Sequence, residues 1–286
     1  MVVSGVSALL CKDLYDNKKG NLVLERGLYM AKKIVFFDID GTLLDFNKQL
    51  PASTKEAVRK LKENGVFVAI ATGRAPFMIE DIRTELEIDS YVCFNGQYVV
   101  FENEIIYRNP LSKSLLHNLL VHAKNKSVPV VLMNEHGART TVPFSKYIEE
   151  TLRSFKLEHP EHDEEYHHHF DIFQALLYCT EREENEYLLE HDNLKFIRWH
   201  PICMDVVPFG GSKAIGINEF IKRAGFQLEN VYAFGDGLND IEMLQTAGTG
   251  VAMGNSEKEL LKYADVVTTS VDEDGIYNGL VKVGLI

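Results

Sequence analysis

Two carboxylates at one strand end are the first feature of this sequence that packing does not explain. Asp38-Ile39-Asp40-Gly41-Thr42 closes an apolar run, Ile34 to Phe37. Alternate residues of a strand share a face, so Asp38 and Asp40 point the same way. Two such groups repel unless a hard cation with a preference for oxygen ligands lies between them. A second acidic loop, Gly235-Asp236-Gly237-Leu238-Asn239-Asp240, follows Val231 to Phe234. It contains Gly-x-Gly but not the third glycine of a dinucleotide loop, because Asp240 takes that place. Thr72-Gly73-Arg74 and Lys213 add a hydroxyl, free backbone N–H groups and cations, which suit a phosphate dianion. Each feature alone has a plainer reading: a turn, a helix cap or a solvated lysine. Together they bring complementary chemistry, carboxylates for a cation and donors for a phosphate, to the carboxyl ends of parallel strands.

The elements that must hold these loops alternate regularly. Residues 34–95 read strand, helix, strand, helix, strand. The helices run from Ser53, with Glu56 completing a capping-box pattern, and from Pro76 to Leu86; the later strands are Phe67 to Ala71 and Tyr91 to Phe94. The same grammar returns after Ser212. Helices are expected at Ser212 to Ala224, Asp240 to Gln245 and Ser256 to Tyr263, and strands at Val231 to Phe234, Gly250 to Met253 and Asp265 to Thr268. Such alternation predicts a doubly wound, Rossmann-like parallel sheet, with ligands at the carboxyl ends of its strands. Residues 113–204 differ in character. They hold the single Trp, all ten His and β-rich runs at Val128 to Met133, Ile172 to Cys179 and Ile202 to Val207. We read them as an α+β domain inserted into an α/β core of residues 30–112 and 205–286.

Asp38-x-Asp40-Gly41-Thr42, Thr72-Gly73-Arg74, Lys213 and Gly235-Asp236-Gly237-x-Asn239-Asp240, in this order, resemble the haloacid dehalogenase (HAD) superfamily of phosphohydrolases. The Asn95-Gly96 turn and the large insert before Lys213 resemble its Cof-type subfamily, whose α+β cap selects the substrate. The resemblance covers residues 30–286. It implies a magnesium-dependent phosphatase of a small phosphorylated metabolite, a sugar phosphate or a phosphorylated cofactor. Asp38 is then the nucleophile that becomes an aspartyl-phosphate, and Asp40 the general acid and base, a role calling for a pKa lifted toward neutrality. Magnesium is expected on Asp38, the backbone carbonyl of Asp40, Asp236 and Asp240. Thr72, Gly73, Lys213 and Asn239 are expected on the phosphate, with Arg74, Asn95 and Gly96 near the substrate. A phosphomutase or phosphotransferase shares this intermediate, and a catalytically silent metabolite-binding protein shares the fold. Phosphate release without an added acceptor separates them.

The remaining composition narrows the class. A net charge of -12 argues against a nucleic-acid or anionic-membrane surface. No apolar run approaches the roughly 20 residues of a membrane span. Cys11, Cys93, Cys179 and Cys203 form no Cys-x-x-Cys pair and read as reduced thiols of a cytoplasmic protein, monomer or weak dimer. Residues 1–29 lie outside the resemblance; they are an N-terminal arm, or an extension upstream of a natural start at Met30. His167-His168-His169 reads as a solvated loop or cap edge, because three consecutive side chains cannot converge on one metal. Trp199 and His200 are expected to pack the cap sheet; Arg139 and Arg198 are expected to be solvated, the alternative being contact with a second anionic group of the substrate.

Overall fold

The computed structural model describes residues 32–286. The expected N-terminal arm and the alternative start at Met30 lie outside the described residues. β1 (Ile34–Phe37) is buried at every position, as a strand covered on both faces must be. α1 (Ala52–Glu63) follows and buries Ala57, Val58 and Leu61. The expected capping box does not form: Pro51 caps this helix, Ser53 lies inside its first turn, and Glu56 pairs with Arg59 instead. β2 (Phe67–Ala71) comes next. The expected helix from Pro76 divides into one 3₁₀ turn, Pro76–Met78, and α2 (Glu80–Glu85), because Ile79 leaves helical geometry at ψ 1°.

β3 (Tyr91–Cys93) is followed by two strands that the sequence pattern did not reveal, β4 (Tyr98–Phe101) and β5 (Glu104–Arg108). Their two-residue turn is Glu102-Asn103, with φ of 48° and 63°. Two consecutive positive φ values make a hairpin turn whose usual signature is Asn-Gly, and that signature is missing here.

The insert contains α3 (Lys113–Asn125), β6 (Val130–Asn134), β7 (Gly137–Thr140), α4 (Lys146–Arg153), α5 (Tyr166–His169), β8 (Gln174–Leu177), α6 (Glu181–Glu190), β9 (Leu194–His200) and β10 (Cys203–Pro208). The core resumes with α7 (Lys213–Ala224), β11 (Val231–Gly235), α8 (Ile241–Thr246), β12 (Thr249–Ala252), β13 (Val266–Val267) and α9 (Gly275–Lys282). Where a helix from Ser256 was expected there is only a 3₁₀ turn, Leu260–Tyr263.

Two sheets result. One has eight strands in the order β13-β12-β11-β1-β2-β3-β4-β5, parallel through β3 and antiparallel at the β4–β5 edge. The other has five, β7-β6-β8-β10-β9, all antiparallel. The return to the core, expected at residue 205, falls inside β10. That strand stays in the second sheet to Pro208, held by pairing on both sides, with Asp205 opposite Leu176 and Ile197. The sheets meet at Phe173, which is fully buried between the rings of Phe94 and Tyr98 at 5.6 and 5.2 Å. Burial of such a side chain contributes about 1.5–3 kcal/mol.

Candidate active site

Strand register brings the motif loops level with one another. Phe37 pairs with Ile70 on one side and Phe234 on the other, so β1, β2 and β11 end together. Asp38, Thr72 and Asp236 emerge side by side just beyond those ends. The Asp38 N–H still donates to the Phe234 carbonyl, and Thr72 N–H to that of Val92, which holds the loop bases rigid.

Lys213 organises the acidic end. Its ammonium, buried at the start of α7, donates to Asp38 Oδ1 at 2.5 Å and Asp240 Oδ1 at 2.6 Å. The other Asp240 oxygen accepts the N–H groups of Asp236 and Gly237 at 3.1 and 3.0 Å. Carboxylate oxygens of Asp38, Asp236 and Asp240 lie within 4.8 Å of one another. Burial pushes the Asp38 pKa up; Lys213 opposes this, while the charges of Asp240 and Asp40 reinforce it. Asp236 is pushed up as well, by burial and then by Asp38 and Asp240. One lysine thus leaves an excess of negative charge at an all-oxygen donor set. That set fits a hard divalent cation such as magnesium and offers no nitrogen or sulfur for a softer one.

Gly41 makes the close approach possible. Its φ is +79°, and a Cβ there would stand 2.2 Å from Asp236 Oδ2. Thr42 Oγ1 donates to Asp236 Oδ1 at 3.1 Å, and Asn255 Nδ2 to the Gly41 carbonyl at 2.9 Å. Asn255 carried no signal in the sequence, since its partners are distant in the chain.

Asp40 has a different environment from the one expected. Arg74 Nε donates to its Oδ2 at 2.9 Å and Arg74 Nη2 to its Oδ1 at 2.6 Å, with Lys48 also on Oδ1. Burial alone raises this carboxyl, but Arg74 and Lys48 outweigh it, so its pKa is lowered rather than lifted toward neutrality. Lys48 was not foreseen. It comes from a turn built on Asp45, whose Oδ1 accepts the N–H groups of Asn47 and Gln49, both at 2.8 Å.

A cavity of about 430 Å³ opens over this end. Asp38, Asp40, Thr72, Gly73, Arg74, Asp236 and Asn239 line its floor. Lys213 and Asp240 lie behind them, outside the lining, and Thr72 Oγ1 accepts the Arg74 N–H at 3.1 Å. Asn95 and Gly96 do not line the cavity. Asn95 is buried beneath it: its Nδ2 donates to Asp205 Oδ2 at 2.8 Å and Gln174 Oε1 at 3.1 Å, and its Oδ1 accepts from Asn239 at 3.3 Å. Gly96 packs against Ser212, whose carbonyl oxygen would be 1.9 Å from a Cβ there.

The insert roofs the cavity with Met133, Leu152, Phe155, Leu176, Ile197 and Trp199, plus the polar Gln174 and Asp205. Trp199 therefore faces the cavity as well as packing on Phe155, with centroids 5.5 Å apart. Arg198 also reaches the lining, but Glu184 holds its Nε at 2.6 Å. Arg139 lies elsewhere, paired with Glu161. His167 is not in a solvated loop: it is buried on α5, and its ligand atom, with those of His168 and His117, falls within 4.8 Å. Three neighbours in sequence need not converge when a second helix supplies the third imidazole.

The sequence profile of the haloacid dehalogenase-like hydrolases matches residues 35–280. A Bacillus subtilis protein named "Putative phosphatase YkrA" is 45% identical over 90% of this chain and 100% of its own. The pyridoxal phosphate phosphatase YbhA of Escherichia coli is 28% identical over 86% of this chain and 97% of its own. Among solved structures, the HAD subclass IIB sugar phosphatase BT4131 superposes with a TM-score of 0.81 and 33% identity, covering 89% of this chain and 100% of that one.

Proposed function

We propose that this chain, which belongs to the haloacid dehalogenase-like hydrolase family and is a HAD-type phosphatase with a Cof-type α+β cap, acts through an aspartyl-phosphate on Asp38 with magnesium at Asp38, Asp236 and Asp240. The observation that carries this reading is the Lys213 ammonium, buried between Asp38 and Asp240 with Asp236 beside them. A bound divalent cation would neutralise charge on the transferring phosphoryl group and on its carboxylate ligands. The protein's own residues do the rest. The free oxygen of Asp38 attacks phosphorus in line, and the P–O bond to the leaving alcohol breaks. Asp40 gives that alkoxide a proton and later takes one from the attacking water, which releases phosphate and restores Asp38. Arg74 and Lys48 favour the ionised, base form of Asp40, which suits the second half of the cycle. Thr72 and the Gly73 and Arg74 backbone border the space for the phosphoryl oxygens.

The substrate is a small phosphorylated metabolite. The roof of the cavity is largely apolar and carries an aromatic pair, Phe155 and Trp199; its polar members are Gln174, Asp205 and Arg198, the last held at its Nε by Glu184. Such a wall suits a flat or apolar leaving group and leaves most hydroxyls of a polyol without partners. The reading therefore favours a phosphorylated cofactor over a sugar phosphate. No helix among the described residues is long and apolar enough to cross a membrane. Cys93, Cys179 and Cys203 are buried free thiols, which suits a reducing, cytoplasmic setting.

The test is phosphate release with magnesium from pyridoxal phosphate and from a hexose phosphate, without an added acceptor. Faster turnover of the first supports the substrate reading, and faster turnover of the hexose phosphate rejects it. Full turnover by Asp38→Asn would reject the nucleophile.

A further inference from the structure

A second cluster of metal-ligating side chains lies on the helical layer of the cap, away from the active-site cavity. His122 projects from α3. Glu190 ends α6, and His191 follows it as the first residue past the helix. His122 Nδ1 stands 3.0 Å from His191 Nε2 and 3.3 Å from Glu190 Oε2. Ligand atoms about 2.0–2.2 Å from one ion sit roughly 2.9–3.6 Å apart in neighbouring positions, for octahedral to tetrahedral geometry. Both distances fall in that interval without rearrangement.

The surroundings fit as well. His122 Nε2 is 3.5 Å from Glu186 Oε1, and its ring stacks on Tyr187 with centroids 4.5 Å apart. A carboxylate on the far nitrogen is the usual partner of a ligating histidine: it keeps the proton on Nε2 and leaves the Nδ1 lone pair facing inward. Nδ1 then confronts a carboxylate oxygen and a second imidazole nitrogen. Three lone-pair donors converge with one side open to a crevice of about 670 Å³ that Asn118, Asn125 and Asn193 also line.

We infer that His122, Glu190 and His191 form a binding site for a divalent transition metal of the zinc type, with a coordination position open to water or a small anion. Two imidazoles and one carboxylate select such an ion over magnesium, which prefers oxygen alone. The two proposed cation sites thus sort by chemistry: oxygen donors in the core, mixed nitrogen and oxygen donors on the cap. An ion here ties the carboxyl end of α6 to α3. His117, His167 and His168 form the competing cluster, which offers three imidazoles and no carboxylate among its ligand atoms. A lysine stands near each cluster, Lys113 at 3.2 Å from the His168 carbonyl and Lys126 at 2.6 Å from Glu186 Oε1, so the carboxylate of Glu190 is what separates them. The alternative for His122 itself is a metal-free hydrogen bond between its Nδ1 and His191 Nε2, with Glu186 and Glu190 beside the ring.

Cobalt(II) titration of the tag-free full chain, in excess magnesium to fill the carboxylate site, distinguishes these readings. The expected result is one equivalent bound, with the visible absorption of a nitrogen-ligated ion and at least a tenfold loss of affinity in His191→Gln and in Glu190→Gln. Magnesium-activated phosphatase turnover should be unchanged in both variants, which shows that they are folded. Loss of the cobalt signal in His167→Gln but not in His191→Gln would move the site to the other cluster and overturn the proposal. So would cobalt binding no tighter in wild type than in His191→Gln.

Discussion

Arg74 and Asp40 meet as a two-point pair, Nε on Oδ2 and Nη2 on Oδ1, with only about a third of the Asp40 side chain open to solvent. The arginine fixes both the direction of this carboxylate and its charge. If Asp40 carries the proton to the leaving group, Asp40→Asn should slow release from an alkyl phosphate by about 10²–10⁴-fold. With p-nitrophenyl phosphate, whose leaving group needs no proton, the loss should be much smaller. Equal losses on both substrates, measured as kcat, would remove the general-acid role.

Lys213 is the only cation hydrogen-bonded to Asp38 and Asp240 among the described residues. Lys213→Met leaves buried negative charge unpaired and should cost about 3–5 kcal/mol of stability. Added magnesium should recover more stability in this variant than in wild type, because the ion then meets a larger excess of carboxylate. Urea unfolding with and without magnesium measures both effects.

Gly41→Ala places a methyl where Asp236 Oδ2 now stands and asks alanine to hold a positive φ. Asp236 must swing aside, so the magnesium concentration for half-maximal activity should rise by roughly 10–100-fold. An unchanged magnesium dependence would mean that Asp236 is not a ligand.

Asp205 gives a pH dependence that can be read in stability. Burial pushes its pKa up to about 7, opposed by the hydrogen bond from Asn95. The folded state therefore binds this proton more tightly than the unfolded chain, whose group titrates near 3.8. As pH rises from about 4 to 7 the unfolded state gains the advantage and wild type loses stability, up to roughly 4 kcal/mol from this group. Asp205→Asn keeps an oxygen for Asn95 and removes the titration. Its stability relative to wild type should climb across that window and level off above it. A flat difference between the two unfolding curves would contradict this.

Much of the core was legible because its signals are local. Each of Asp38, Thr72 and Asp236 follows a short apolar run, and such runs become buried parallel strands whose ends line up once they pair. Lys213 could be placed because a serine precedes it and an amphipathic helix follows. The β4–β5 hairpin was not legible, since Glu102-Asn103 lacks the usual turn residues. The role of Asn95 was only half legible. Its place after a strand pointed to the site, but its partners Gln174 and Asp205 come from the second sheet.

The sequence by itself determined the chemistry: which carboxylates, which cation and which hydroxyl stand at strand ends, because residue type and a two-residue repeat suffice for that. Only the tertiary structure decided how those groups are charged and what surrounds them. Burial pushes Asp38 and Asp236 up against the pull of Lys213, whereas Arg74 and Lys48 together outweigh burial at Asp40 and pull it down. The apolar roof, Phe155 and Trp199 among it, and the meeting of His122 with His191 arise from separate segments. Electrostatic environment and pocket shape depend on distances through space, and those exist only once the two sheets and their helices have packed.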